Sequence, residues 1–128
     1  MRRLLVVDDE PHIGLLLRPH FEALGYGVTL ARSLAEARAA IATVPDLLLL
    51  DLHLPDGSGL NFLTELRAAP ATRELPVLIL TADGEDRAAE RAGALNASLF
   101  TKPFSPSKLT ARVSAMLGDR KLTPEPLP

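Results

Sequence analysis

Asp8-Asp9-Glu10-Pro11, Asp51-Leu52-His53-Leu54-Pro55, Leu80-Thr81-Ala82 and Thr101-Lys102-Pro103-Phe104 are the stretches of this chain best equipped for chemistry. Each stands where an apolar run gives way to a loop. Brought together, they supply three carboxylates (Asp8, Asp9, Asp51), the Thr81 hydroxyl and the Lys102 ammonium. Carboxylate, carbonyl and water oxygens are the donors magnesium takes. An ammonium and a hydroxyl beside a carboxylate can stabilise a phosphoryl group as it arrives. An Asp-Asp pair alone reads as a turn or a helix cap. A third carboxylate alters that reading, because two carboxylates ~5 Å apart repel by roughly 3 kcal/mol at an effective dielectric of 20. Such a cluster needs a cation or shared protons. Asp9 and Asp51 suit direct contact with a divalent ion, and Asp8 suits a coordinated water.

These residues meet only if the chain folds as a parallel sheet. Residues 4–7, 27–31, 47–50, 77–80 and 98–101 are short apolar runs of the kind that form strands covered on both faces. Stretches of helical length separate them. Ser33 with Glu36 forms a capping box, and Leu34, Ala37, Ala40 and Ile41 follow on one face. Gly25 ends the first helix, Gly59 opens the third with Leu60, Leu63 and Leu66 facing inward, and Ser105-Pro106 starts the last. Pro19 lies within the first helix and removes the bond to Leu15, which predicts a kink or a break. Five strands alternating with five helices imply an α/β, doubly wound parallel sheet of flavodoxin-like type. Right-handed crossovers leave a few topologies. The order 2-1-3-4-5 is expected because it sets the first and third strands side by side, bringing Asp9 beside Asp51 at the carboxyl-terminal edge, where such sheets bind ligands.

Composition narrows the function classes. The chain has 128 residues, enough for one core, and 47% of them are apolar. Fourteen basic residues against 16 acidic ones give a formal charge of -2, which speaks against a nucleic-acid-binding surface. The absence of cysteine excludes disulfides and thiolate metal sites. No apolar run can span a membrane and no signal peptide is visible, so a cytoplasmic domain is expected. We expect the domain to occupy residues 1–118, with the proline-rich residues 119–128 as a tail or the start of a linker.

The four motifs, in this order, resemble the receiver domain of bacterial two-component response regulators, similar in layout to the single-domain chemotaxis regulator. The resemblance covers residues 2–118 and includes Asp-x-x-x-Pro-x-x-x-Gly from Asp51 to Gly59. It implies a phosphorylation-activated signal receiver, not an enzyme acting on external substrates. Asp51 would accept a phosphoryl group from a sensor histidine kinase or a histidine phosphotransfer protein. Asp8, Asp9, Asp51 and the backbone carbonyl of His53 would hold Mg2+ (or Mn2+), and Thr81 and Lys102 would contact the phosphoryl oxygens. The same analogy implies a cis Lys102-Pro103 bond and a homodimer or partner surface formed by helix 4, strand 5 and helix 5, with Arg87, Glu90, Arg91, Lys108 and Arg112.

One departure concerns the aromatic residue usual three positions before the lysine. Leu99 stands there with Phe100 next to it, the segment from Thr81 to Lys102 is one residue short, and Asn96-Ala97 replaces Gly-Ala. Either Phe100 takes a shifted role or coupling passes through Thr81 and the following loop. The His53 side chain and Asp83 could tune water or phosphodonor access. His12 and His20 read as ordinary helix residues, Tyr26 has no neighbour that suggests chemistry, and Phe21, Phe62 and Phe104 read as packing residues. Two other functions remain open: a pseudo-receiver that binds partners without phosphorylation, and a magnesium-dependent phosphatase with an aspartyl-phosphate. The second would need an acid where His53 stands.

Overall fold

Parallel strands with apolar side chains on both faces must be covered twice, and the chain does so with two layers of helix. A computed structural model describes residues 2–82, 86–102 and 105–118. Five strands, β1 (Arg3–Val7), β2 (Gly27–Ala31), β3 (Leu47–Asp51), β4 (Val77–Ala82) and β5 (Ser98–Lys102), form one parallel sheet in the order β2-β1-β3-β4-β5. The helices between and after them are α1 (Pro11–Ala23), α2 (Leu34–Ala40), α3 (Gly59–Ala68), α4 (Asp86–Ala94) and α5 (Pro106–Leu117). This is the expected flavodoxin-like arrangement.

Strand alternation sorts the core into two layers. Leu5, Val7, Leu48, Leu50, Val77 and Ile79 face α2, α3 and α4, meeting Leu34, Ala37, Leu60, Leu63, Leu66 and Ala92. Leu4, Val6, Leu47, Leu49, Leu78 and Leu80 face α1 and α5, meeting Ile13, Leu17, Phe21, Leu109 and Val113. Phe21 and Phe62 are buried, as expected. Tyr26 is also buried, edge-on to Phe21, and its hydroxyl shares a 3.1 Å hydrogen bond with Ser114 Oγ on α5.

Several local expectations need correction. Helix α1 runs unbroken through Pro19. Pro19 and Leu15 both lie on the solvent side, so water can serve the carbonyl that lost its amide. Strands β3, β4 and β5 run past their apolar residues, so Asp51, Thr81 and Lys102 are strand residues rather than loop residues. The ladder continues through them, pairing Asp51 with Leu80, Thr81 with Thr101 and Ala82 with Lys102. Ser33 Oγ accepts from Glu36 N as a capping box requires, but Glu36 reaches back to the amide of Arg32 rather than that of Ser33. Ser105 occupies the α5 cap position without capping, its hydroxyl pairing instead with Ser107 Oγ. Residues 53–58, expected as loop, contain a short antiparallel pair, His53–Leu54 with Gly57–Ser58. Asn96, the replacement for the usual glycine, has φ +57, a left-handed conformation that Asn tolerates better than most residues. The cis Lys102-Pro103 bond, Phe104, Asp83 and residues 119–128 lie outside the described residues.

Candidate functional site: an acidic cluster around a lysine

The site is assembled at the carboxyl-terminal edge because β1 and β3 are neighbours. Val7 pairs with Leu50, so Asp8 and Asp51 are the next residues on adjacent strands. Carboxylate oxygens of Asp8, Asp9 and Asp51 all lie within 4.8 Å of one another, so these three residues could hold a metal ion. All three are hard oxygen donors, the set that magnesium or manganese takes. Thr81 sits one residue beyond the partner of Asp51 on β4 and is buried. The entry of α3 is pressed against β3 at the same point, since a Cβ on Gly59 would collide with the Asp51 carbonyl oxygen. Only glycine permits that approach, which accounts for the last residue of the Asp-x-x-x-Pro-x-x-x-Gly pattern.

Lys102 enters from β5 and bridges the cluster. Its Nζ lies 3.1 Å from Asp8 Oδ2, 3.4 Å from Asp51 Oδ2 and 3.7 Å from Glu10 Oε1. The second oxygens are held locally: Asp8 Oδ1 accepts from Glu10 N at 3.0 Å, and Asp51 Oδ1 accepts from His53 N at 3.3 Å. The Asp8 side chain is 1% exposed and that of Asp51 9%, while Lys102 keeps 18%. Burial, and then the charge of Asp8, push the Asp51 carboxyl above its ordinary value, and Lys102 offsets this only in part. Burial alone would lower the Lys102 ammonium, but the charges of Asp51 and Asp8 override it and hold it above the usual lysine range. One ammonium thus faces more negative charge than it can neutralise.

The structure brings Asp8, Asp9, Asp51 and Lys102 together and places Thr81 at the neighbouring strand end. The His53 side chain is exposed. Leu99 packs partly buried against the α4 side of the sheet, whereas Phe100 packs against the α1 and α5 side. Phe100 therefore cannot stand in for an aromatic facing α4. Two polar residues escaped the sequence reading. Asp56, on the β3-α3 connection, caps the start of α2, and Arg67 gathers backbone carbonyls at the opposite edge of the sheet.

Comparison with known proteins agrees with this geometry. The family described as "Response regulator receiver domain" matches residues 4–114. The phosphate regulon transcriptional regulatory protein PhoB of Rhizobium meliloti is 41% identical over 127 residues, which are 98% of this chain and 55% of that protein. The KDP operon transcriptional regulatory protein KdpE of Escherichia coli is 36% identical over 132 residues, covering 100% of this chain and 56% of that protein. The chain thus spans about half the length of the curated relatives it matches. Among solved structures, the receiver domain of NtrX from Brucella abortus is similar with a TM-score of 0.80, 30% identity, and coverage of 90% of this chain and 98% of that one. The chemotaxis protein CheY4 of Vibrio cholerae gives 0.83 at 25% identity, covering 91% and 98%. Among the described residues no helix is long and apolar enough to cross a membrane.

Proposed function

The chain belongs to the response regulator receiver domain family, a family of signalling domains in two-component systems, and from that premise we propose that Asp51 is its phosphoacceptor in a magnesium-dependent transfer from a phosphohistidine. The observation that carries this reading is the Lys102 ammonium bridging Asp8 and Asp51 inside a three-carboxylate cluster. An Asp51 oxygen attacks phosphorus, the P–N bond breaks, and the imidazole leaves with the electron pair. Negative charge then lies on the phosphoryl oxygens, where Lys102 and the Thr81 hydroxyl can meet it. A bound magnesium ion would supply the remaining charge neutralisation, held by Asp8, Asp9, Asp51 and the His53 carbonyl. Lys102 is suited to its part because an ammonium is a compact charge on a flexible stem, able to leave Asp51 for a phosphoryl oxygen. We also assign the domain its own slow dephosphorylation and no external substrate.

Activation is then a shift between two conformations, limited by how differently they bind the phosphoryl group. With Leu99 packed toward α4 and Phe100 on the other face, we assign the coupling to Thr81 and the loop that follows it. The exposed Glu90, Arg91, Lys108 and Arg112 support the α4-β5-α5 face as a dimer or partner surface. Relatives named as transcriptional regulators support control of a transcriptional output in the whole protein. The test is labelling of the parent and Asp51→Asn by a small phosphodonor with magnesium, followed by intact mass. We expect about one phosphoryl group on the parent and none on the variant. Equal labelling would overturn the assignment.

A further inference from the structure

Asp56, five residues beyond Asp51, reaches away from the acidic cluster. Its Oδ1 accepts from Leu34 N at 2.8 Å and its Oδ2 from Ala35 N at 3.0 Å. These are first-turn amides of α2, which have no carbonyl partner within their own helix. Ser33 Oγ takes a third, Glu36 N, at 3.1 Å. The helix is therefore capped twice, once by its own neighbour and once by a carboxylate from the β3-α3 connection. The Leu34 and Ala35 amides hold the Asp56 carboxyl below the usual range. Packing adds a second hold: a Cβ on Gly57 would stand 2.8 Å from Leu34 Cδ1, and Leu34 is buried. The connection is also tied at its root, where Gly59 N donates to Leu52 O at 2.9 Å, and along its length by the pairing of His53 with Ser58.

We propose that Asp56 is a positioning residue for the cation site, fixing through α2 the loop that carries the His53 carbonyl beside Asp51. This rests on the magnesium-site reading above. Asp56 itself touches neither cation nor phosphoryl group. A residue that only capped α2 would affect the stability of that helix and nothing else. A positioning residue also sets how well the loop presents its oxygens, as outer-shell partners of metal ligands do.

The two roles separate in a titration of the whole chain with Mn2+ alone, free ion being read by electron paramagnetic resonance and folding by circular dichroism. Asp56→Ala should bind Mn2+ about tenfold more weakly than the parent, the lower end of what losing an outer-shell partner costs. Ser33→Ala, which removes the other cap of the same helix, should lower the melting temperature but leave Mn2+ affinity at the parent value. Asp56→Asn keeps an acceptor oxygen and should fall between, and it carries the test if Asp56→Ala does not fold. Equal weakening by the Ser33 and Asp56 variants, or parent-like affinity in a folded Asp56 variant, would overturn the positioning role. Equal Mn2+ binding by the parent and Asp51→Asn would instead overturn the cation site, and the positioning role with it.

Discussion

The two edges of the sheet gather polar groups in opposite ways. At the carboxyl-terminal edge one ammonium, Lys102, stands among the carboxylates of Asp8, Glu10 and Asp51. At the amino-terminal edge one guanidinium, Arg67, stands among neutral backbone carbonyls. Its Nε donates to Leu95 O at 2.7 Å, its Nη1 to Leu75, Arg73 and Thr72 O at 2.7, 3.1 and 3.2 Å, and its Nη2 to Asn96 O at 3.3 Å. The guanidinium thereby ties the end of α3 to two loops, the one before β4 and the one before β5. Charge meets dipoles there and nothing repels. At the other edge repulsion is left over and raises Asp51 above its ordinary value, after burial. One edge is relaxed, and at the other burial and the repulsion of Asp8 leave Asp51 in an unfavourable ionised state.

Removing Arg67 should give the largest effect. Hydrogen bonds to a charged group are worth about 1.5–3 kcal/mol each, but several carbonyls share one guanidinium here and the values do not add. Arg67→Ala should cost about 3 kcal/mol in urea denaturation, because it leaves part-buried carbonyls in two loops without their donor. Arg67→Lys should recover less than half, since three donors on one ammonium cannot span both loops as a planar fork does. A loss under about 1 kcal/mol would mean that these loops hold themselves and that the contrast between the edges is false.

The two edges also differed in how far the sequence revealed them. Asp51 could be recognised because it closes an apolar run, Lys102 because Pro103-Phe104 follow it, and the strand order because it brings the first and third strands together. Arg67 was not legible, since its partners are backbone carbonyls and leave no pattern of residue types. A basic residue in the last turn of α3 was the one available sign. Asp56 was hidden differently: Pro55-Asp56-Gly57 reads as a turn, and its target amides lie 21 and 22 residues away. The choice between Leu99 and Phe100 depends on strand parity, which a segment one residue short leaves ambiguous. Pairing of Thr81 with Thr101 settles it. Pro19 shows the converse, a rule correctly applied whose cost depended on solvent exposure that sequence did not supply.

Neutralising Asp51 should sharpen the contrast from the other side. Without divalent cation, Asp51→Asn should stabilise the fold by about 1 kcal/mol, within the range that relieving a strained functional site returns. It keeps an acceptor oxygen for Lys102 and removes the repulsion with Asp8. Saturating magnesium should close the gap, because a ligand that binds the folded parent stabilises it by mass action. Paired urea melts with and without magnesium test this. A destabilised variant would mean that the pair with Lys102 outweighs burial and Asp8, and that this edge is as relaxed as the other.

The smallest effect is the pH dependence of that gap, and its sign is fixed by Asp51. Its carboxyl lies above the ordinary value of 3.8 in the folded protein. Above that raised value both folded and unfolded chains carry the ionised group, and the folded one bears the cost. As pH falls through the raised value toward 3.8, the folded parent takes up its proton first and the cost lifts. Below 3.8 both states are protonated and nothing further changes. The advantage of Asp51→Asn over the parent should therefore shrink as pH drops into the carboxylate range. Asp56 and Glu65 act with the opposite sign: their depressed values give stability that is lost on acidification. Parent and variant share them, so their contributions cancel in the difference between two urea melts. The deficit of Arg67→Ala should stay flat over the same range, because a guanidinium among carbonyls has no proton to exchange there. If that deficit moved with pH as the Asp51→Asn advantage does, the amino-terminal edge would be coupled to a carboxylate, and the division into a titrating edge and a fixed one would fail.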